Sequence, residues 1–155
     1  MTAGPWVTYN HLPLKIGDGT LDLDAASRYR VVLLSSSYTP SRAHTAWSSL
    51  SSYELSTANG YTQGGYGITN AFTANGATST FDSDDPDWTV TGSALAARYA
   101  ALVHDADGNG TLAADDVVMA YCLLDNTPAD YSVNPGNHFT IQLDAAGYFQ
   151  IGDAA

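Results

Sequence analysis

The sequence predicts an all-β (mainly β) fold: one β-sandwich-like single domain with one short helix and an extended N-terminal arm. The 155 residues include ten Tyr and fourteen Gly, whereas Glu54 is the only Glu and Lys15 the only Lys. Helix surfaces favour Glu and Lys, and strands favour aromatic and β-branched residues, so this composition favours sheet. Short apolar runs bounded by Gly, Asn, Asp or Pro recur along the chain, as is typical of a sandwich or barrel.

The chain divides into an N-terminal arm, residues 1–26, and a β-sandwich-like domain, residues 27–155. Within the arm, Ile16–Leu21 is expected to form a tight turn between two short strands, because it contains two glycines around an Asp. The N-terminus has neither the basic stretch nor the apolar core of a secretion signal, and no apolar run reaches the ~20 residues that span a bilayer. We therefore expect synthesis in the cytoplasm and no membrane partner.

The clearest strand pattern is Arg30–Leu34, a β-branched and aliphatic run that ends at three serines. It is too brief for a free-standing helix and is expected to be a central strand. Tyr53–Ser56 is expected to be a strand leading into a turn at Gly60–Gly65, where glycines permit the positive φ angles of a tight reversal. Further short strands are expected at Tyr66–Ile68, Thr78–Phe81 and Trp88–Thr91.

The one short helix is expected within Thr39–Ser52. The Thr-Pro-Ser sequence at its start can begin a helix, and Trp47 and Leu50 are spaced to share one helical face. Ala94–His104 is ambiguous: its apolar spacing and its propensity favour a helix, although Arg98–Val103 within it could be a buried strand.

The clearest hairpin is expected near the C-terminal end. His138–Leu143 alternates between apolar and polar residues, Asp144–Gly147 supplies a turn, and Tyr148–Ile151 continues as a second strand. We therefore expect these two strands to pair with each other.

Charge limits the classes of partner. Acidic residues outnumber Lys and Arg by 16 to 5, which gives a formal net charge of −11. Such a chain repels phosphate backbones and anionic membranes, so neither nucleic acid nor membrane is expected as a partner. Cys122 is the only cysteine and lies in an apolar run, so we expect a buried thiol and no intrachain disulfide or cysteine-based zinc site.

The sharpest local motif is Asp105–Asp116, which follows the twelve-residue calcium-loop pattern, with Gly110 at the sharp bend. The candidate metal ligands are Asp105, Asp107, Asn109, Thr111 and Asp116. The last of them is Asp where the pattern has Glu, and its shorter side chain weakens bidentate binding. The alternative is a metal-free turn, because tight polar turns use the same residue types. A structural calcium ion is therefore the cofactor hypothesis.

Other candidate sites have simpler interpretations. Asp82–Asp87 is expected to be an acidic turn, because its spacing fits no metal cage and Pro86 favours a reversal. Serines and four histidines are present, but no Gly-x-Ser-x-Gly motif is, so we expect no enzyme. A set of aromatic residues near turns could line a sugar-binding or protein-binding surface or could pack in the core. These are Trp6, Tyr9, Tyr38, Trp47, Tyr53, Tyr61, Tyr66 and Trp88.

Several segments, taken in order, resemble a widespread family of small structural proteins of tailed bacteriophages. They are Val31–Pro40, Tyr53–Ser56 with Gly60–Gly65, Asp85–Thr89, Ala97–Val103 and Phe139–Gly147. The resemblance covers most of Tyr29–Ile151 and implies a β-sandwich-like virion component without enzymatic activity, in which Ala97–Val103 is a strand. The calcium-like loop after Val103 and residues 1–26 have no counterpart in the family pattern.

The resemblance leads to three functional hypotheses. The first is a capsid decoration or cement protein, held in many copies on the major capsid protein through its arm and one sheet edge or face. The second is a tail-associated protein, such as an adaptor, tip or fibre-attachment protein. The third is a calcium-dependent module that binds glycans of the host surface. We expect a homo-oligomer or symmetric array, located in the virion after synthesis in the host bacterial cytoplasm.

Overall fold

The structure, a computed structural model, describes residues 4–127 and 129–152. In chain order the elements are β1 (Val7–Thr8), α1 (Leu12–Gly17), β2 (Tyr29–Leu34), β3 (Tyr66–Gly67), β4 (Asn70–Asn75), β5 (Thr78–Ser83), β6 (Asp87–Thr89), β7 (Leu95–Ala97), β8 (Tyr99–His104), β9 (Val118–Leu123), β10 (Tyr131–Val133), β11 (His138–Thr140) and β12 (Phe149–Gly152). The strands form a five-stranded sheet, order β1-β9-β8-β2-β3, a three-stranded sheet, order β12-β5-β4, and the pairs β10-β7 and β11-β6. This architecture confirms the all-β, β-sandwich-like class.

The five-stranded sheet is buried on both faces. In β2, Val31 and Leu33 belong to one core cluster, and Val32 and Leu34 belong to a second cluster on the opposite face. All four side chains are fully buried. A strand buried on both faces is expected to be apolar throughout instead of alternating. The prediction of a central strand at Arg30–Leu34 is therefore confirmed.

The smaller sheets cover the first face with aromatic side chains. Phe81 of β5 stacks on Phe149 of β12, with ring centroids 5.2 Å apart. Trp88 of β6 meets Phe139 of β11 edge to face at 6.0 Å. Cys122 of β9 lies in the same cluster and is fully buried, as predicted, and burial raises the pKa of its thiol. These contacts form the sandwich core.

The second face is covered by residues 38–53 and by Tyr9. The hydroxyls of Tyr9 and Tyr38 are hydrogen-bonded at 2.9 Å, and Trp47 and Leu50 are buried beside them. This segment contains two 3-10 helices, 47–49 and 51–53, instead of the single short helix expected within Thr39–Ser52, so the predicted position of that helix is wrong. The serines of this segment compete for backbone hydrogen bonds, and so short a segment does not offset the cost of helix nucleation.

The only α-helix of the described residues lies in the N-terminal arm. There, α1 begins beside Pro13, which suits the first turn of a helix, and a turn follows with Gly19 at φ +78°. The expected turn is present, but both expected flanking strands are wrong: α1 precedes the turn, and no strand follows it before β2. β1 pairs with β9, and the side chains of Leu21 and Leu23 are buried in the main core. Residues 1–3 of the arm, and residues 128 and 153–155 of the domain, lie outside the described residues.

The hairpin expected near the C-terminal end is wrong in its pairing. Both strands and the turn exist, and the Gly147 N–H donates to the Asp144 carbonyl at 2.9 Å. However, β11 pairs with β6, and β12 pairs with β5. Phe139 and Phe149 are buried against different aromatic partners, so the two strands diverge after the turn.

Ala94–His104 forms two strands, β7 and β8, as the resemblance implies and against its helical propensity. β8 lies between β2 and β9, and its side chains from Ala100 to Val103 are fully buried. Burial on both faces of a sheet overrides a propensity difference of well under ~1 kcal/mol per residue. The strand expected at Tyr53–Ser56 is reduced to a single bridge between Glu54 and Leu34.

The turn at Gly60–Gly65 is confirmed and is organised by the carboxylate of Glu54. Glu54 Oε1 accepts hydrogen bonds from the Tyr61 hydroxyl at 2.8 Å and from the Gly64 N–H at 2.7 Å. Burial raises the pKa of Glu54, although both hydrogen bonds act in the opposite direction. The Leu33 N–H donates to the Tyr61 hydroxyl at 3.2 Å, which connects the turn to the central strand.

We predict that Gly65→Ala destabilises the fold far more than Gly76→Ala. Both glycines have positive φ, +71° and +66° respectively, so both variants carry the same backbone strain of about 1–2 kcal/mol. A Cβ at Gly65 would lie 2.2 Å from the Val31 carbonyl oxygen, whereas a Cβ at Gly76 meets nothing within 4 Å. Urea unfolding should therefore show a further loss of about 2 kcal/mol or more for Gly65→Ala alone. Equal losses would contradict this account of the turn.

Candidate functional site

The calcium-like loop, Asp105–Asp116, connects β8 to β9. Its base is closed by the His104 N–H, which donates to the Val117 carbonyl at 2.8 Å, and by the Asp105 N–H, which donates to the Arg28 carbonyl at 2.7 Å. Because β9 is a strand, the loop is an insertion in a β-hairpin, as the apolar run after it predicts, and not the centre of a helix pair.

Asp105 holds the first half of the loop. Its carboxylate is almost completely buried and accepts two backbone hydrogen bonds at 2.8 Å, Oδ1 from Gly108 and Oδ2 from Gly110. Both glycines have positive φ, +67° and +85°, which glycine adopts without strain. The buried carboxylate therefore supplies acceptors to N–H groups that the tight loop leaves without ordinary strand partners.

Asp116 holds the two ends of the loop together. Its side chain is buried, and it accepts hydrogen bonds from the Ala106 N–H at 3.1 Å and from the Ala113 N–H at 2.7 Å. Two buried carboxylates thus organise one loop through backbone donors. These bonds offset part of the cost of burying the charges.

The structure divides the five predicted metal ligands into two groups. Asp105 and Asp116 are buried, whereas Asp107, Asn109 and Thr111 are exposed and bonded to one another. Asn109 Nδ2 donates to Asp107 Oδ2 at 2.6 Å, and the Thr111 N–H donates to Asn109 Oδ1 at 2.7 Å. Within residues 4–127 and 129–152, no three His, Cys, Asp or Glu side chains are grouped to hold a metal ion. Calcium binding stays a prediction, and it requires Asp107 and Asn109 to exchange their mutual hydrogen bond for the ion.

The loop lies against the Gly60–Gly65 turn, a juxtaposition that sequence reasoning missed. A Cβ at Gly64 would lie 3.0 Å from the Gly110 carbonyl oxygen, and the Arg28 guanidinium donates to the Ala106 carbonyl. Beside this contact lies a cleft of about 270 Å³, and Glu54 and Gln63 line one side of it. In the sequence, only the closely spaced glycines within each of the two loops indicate that the backbones of these loops approach each other.

His104, at the end of β8, is another part of the site that the sequence did not predict. Its ring is buried, lies 5.3 Å from the Tyr29 ring between centroids, and leaves Nδ1 without a hydrogen bond to any described residue. Burial lowers the pKa of this imidazole, which favours its neutral form. The apolar contact with Tyr29 makes His104 part of the support beneath the loop.

The aromatic residues proposed for a binding surface are mainly interior. Tyr9, Tyr38, Trp47, Tyr61 and Trp88 are buried. The remaining three, Trp6, Tyr53 and Tyr66, are half-buried. A glycan-binding surface needs aromatic faces open to solvent, and this set packs in the two cores instead.

The acidic segment Asp82–Asp87 is used to connect strands. Asp84 accepts a hydrogen bond from the Thr69 N–H at 2.6 Å, and Asp85 accepts one from the Leu143 N–H at 2.9 Å. Asp87 Oδ2 lies 2.6 Å from His138 Nδ1, across the β6–β11 pair. Asp82 lies in β5 and Asp87 in β6, so only residues 84–86 form the acidic connection between the two strands. Carboxylates of this segment have structural partners.

Each basic side chain is also engaged within the chain. Lys15 and Arg98 form ion pairs with Asp18 and Asp130, at 3.7 Å and 2.8 Å. Arg28, Arg30 and Arg42 donate to backbone carbonyls, for example Arg30 to Gly65 at 2.8 Å and Arg42 to Thr8 at 3.0 Å. Because the basic side chains have partners within the chain, carboxylates are the main charged groups on the remaining surface.

Comparisons of this chain with protein-family models, with curated proteins and with solved structures found no match. No helix among the described residues is both long and apolar enough to cross a bilayer. Function is therefore inferred from the residues and the geometry described above.

We predict that calcium raises the thermal unfolding midpoint of the purified chain relative to a chelator. An ion that binds only the folded state must stabilise it, by about 2.7 kcal/mol at one hundred times its Kd. Asp107→Ala should abolish the shift while leaving the midpoint in chelator nearly unchanged, because Asp107 is exposed. Asp144→Ala is the matched control: Asp144 is likewise exposed and accepts an N–H from two residues further along the chain, at 2.8 Å. Identical curves with calcium and chelator would establish the metal-free turn.

Proposed function

We propose that this chain is a non-enzymatic structural protein of a tailed-bacteriophage particle that decorates the capsid in many copies. The ordered segments of Tyr29–Ile151 that resemble small phage structural proteins support the class. The observation that carries the proposal is an apolar groove at the junction of the N-terminal arm with the edge strand β12.

The groove lies between α1 and β12 and has a volume of about 400 Å³. Leu12 and Ile16 line it from the helix, and Phe149 and Ile151 line it from the strand. Among the described residues, the exposed large apolar side chains are Leu14, on the same helix, and Ile151, exposed by 66% and 41%. Ile151 lines the groove, whereas Leu14 does not, so the contiguous apolar surface is the groove with Ile151. A contiguous apolar surface indicates a binding surface, whereas scattered apolar residues do not.

The strand beside the groove also has an edge with which no described strand pairs. β12 pairs with β5 on one side and is the outer strand of its sheet. An extended segment can add to such an edge through main-chain hydrogen bonds while its apolar side chains enter the adjacent groove. This combination of arm and sheet edge is a suitable attachment surface for a decoration protein.

Charge indicates the chemistry of the partner. The groove is lined by apolar and uncharged polar residues, whereas the whole chain carries a net charge of −11 with its basic side chains engaged internally. The complementary partner is an extended apolar segment flanked by basic residues, presented by the major capsid protein. Symmetric repetition on a shell strengthens attachment, because many modest contacts act together.

The number of copies per particle tests the proposal. Quantitative mass spectrometry of purified particles should find hundreds of copies of the chain, as expected of a shell component. A handful of copies would indicate the tail instead, and absence from the particle would end the proposal.

We predict that Ile151→Lys, a change within the groove, reduces incorporation of the chain into particles. Tagged variants supplied in trans during infection would compete with tagged wild type, and the incorporated ratio should fall by about tenfold, corresponding to about 1.4 kcal/mol of lost contact. Thr91→Lys is the control with the same charge change, because Thr91 is exposed and absent from the groove. Equal incorporation of all variants would show that the groove is not the attachment surface.

A further inference from the structure

β4, Asn70–Asn75, is the outer strand of the three-stranded sheet. It pairs with β5 along one side, from Asn70 opposite Ser83 to Asn75 opposite Thr78. No strand of the described residues pairs with its other side. The side chains of Ala71, Thr73 and the last two residues of the strand are exposed.

This edge lacks the features that normally prevent strand addition. Natural proteins protect edge strands by keeping them short or by placing charged residues or proline on them. Of the other outer strands, β1 and β3 contain two residues each, and β6 carries Asp87. β12 also lacks charge and proline, but it is shorter than β4, with four residues. β4 has six residues, with no charge and no proline, in a chain that contains 16 acidic residues.

The distribution of charge around β4 favours a second copy of this chain as the occupant. Acidic residues lie only toward the open end of the β4–β5 hairpin, with Asp82 in β5 opposite Ala71 and Asp84 and Asp85 just beyond β5. The hairpin tip from Asn75 to Thr78 is uncharged. Two antiparallel copies would place the acidic end of each beside the uncharged tip of the other. Parallel pairing would bring the acidic ends together, which like-charge repulsion opposes.

We propose that two copies of this chain associate through β4 in an antiparallel pair about a two-fold axis, so that their three-stranded sheets become one continuous sheet. A two-fold axis perpendicular to a sheet places one residue opposite itself. Thr73, exposed near the middle of β4, is that residue. Phe72 of each copy then lies opposite Ala74 of the other, and the facing threonines form a favourable cross-strand pair.

A cysteine at the axis tests this geometry directly. Cys122 is the only native cysteine and is fully buried, so it contributes no background crosslinking. Thr73→Cys should form a disulfide-linked dimer under mild oxidation, because residues opposite each other across two strands have Cβ atoms about 4.5–5.5 Å apart. Thr91→Cys, exposed but away from β4, should stay monomeric at the same concentration. A monomeric Thr73→Cys would overturn the proposal.

Sedimentation equilibrium of the purified wild-type chain should give twice the chain mass of 16.3 kDa. Thr73→Lys should reduce the mass to that of one chain, since a lysine at the axis faces the same lysine of the second copy. Ala71→Lys serves as a second disrupting variant should Thr73→Lys fold poorly, and Ser132→Lys, exposed on β10, is the control. A monomeric wild type, or a dimer that persists in both β4 variants, would overturn the proposal. These measurements use the isolated chain and do not depend on the proposed role in a virion.

Discussion

Burial of the five-stranded sheet on both faces is the constraint on which the rest of the structure depends. The strands β2 and β8 lie at its centre and send alternate side chains into two separate cores. Each fully buried Val or Leu contributes about 1.5–3 kcal/mol relative to exposure. That contribution requires a covering layer on each face of the sheet. Small sheets rich in aromatic residues cover one face, and a largely irregular segment with Tyr9 covers the other.

Because both faces of the sheet are covered, the loops that connect its strands lie at the strand ends. The backbone N–H and C=O groups of these loops need hydrogen-bond partners. Three buried or half-buried carboxylates provide such partners. Half-buried Glu54 organises the turn of residues 60–65, and buried Asp105 and Asp116 organise the loop between β8 and β9. The two loops meet at Gly64 and Gly110. Whether or not calcium binds there, these carboxylates have a structural role.

These contacts within the chain also determine which groups remain on its surface. The arginines donate to backbone carbonyls or to Asp130, Lys15 pairs with Asp18 at the surface, and the aromatic set is buried or half-buried. What is left is an acidic surface interrupted by the apolar groove at α1 and β12 and by the uncharged edge of β4. Both interruptions suit contact with other proteins, as a component of a symmetric assembly requires.

The sequence by itself determined the features that local pattern records. Composition predicted the β class, the apolar run predicted the interior strand at Arg30–Leu34, and paired glycines predicted the turn at Gly60–Gly65. The buried Cys122 and the hairpin position of the Asp105–Asp116 loop follow from the same reasoning, because each depends on residues adjacent in the chain.

Only the tertiary structure decided which distant segments meet. β11 and β12 pair with β6 and β5 because Phe139 and Phe149 are buried against different aromatic residues, and no local pattern records that choice. The only α-helix of the described residues lies in the arm, where it buries Leu12 in the main core and leaves Leu14 exposed. Likewise, packing alone divides the five predicted calcium ligands into buried and exposed groups and brings α1 and β12 together at the groove. Periodicity in a sequence records whether a side chain is buried, whereas its partner depends on contacts between residues far apart in the chain.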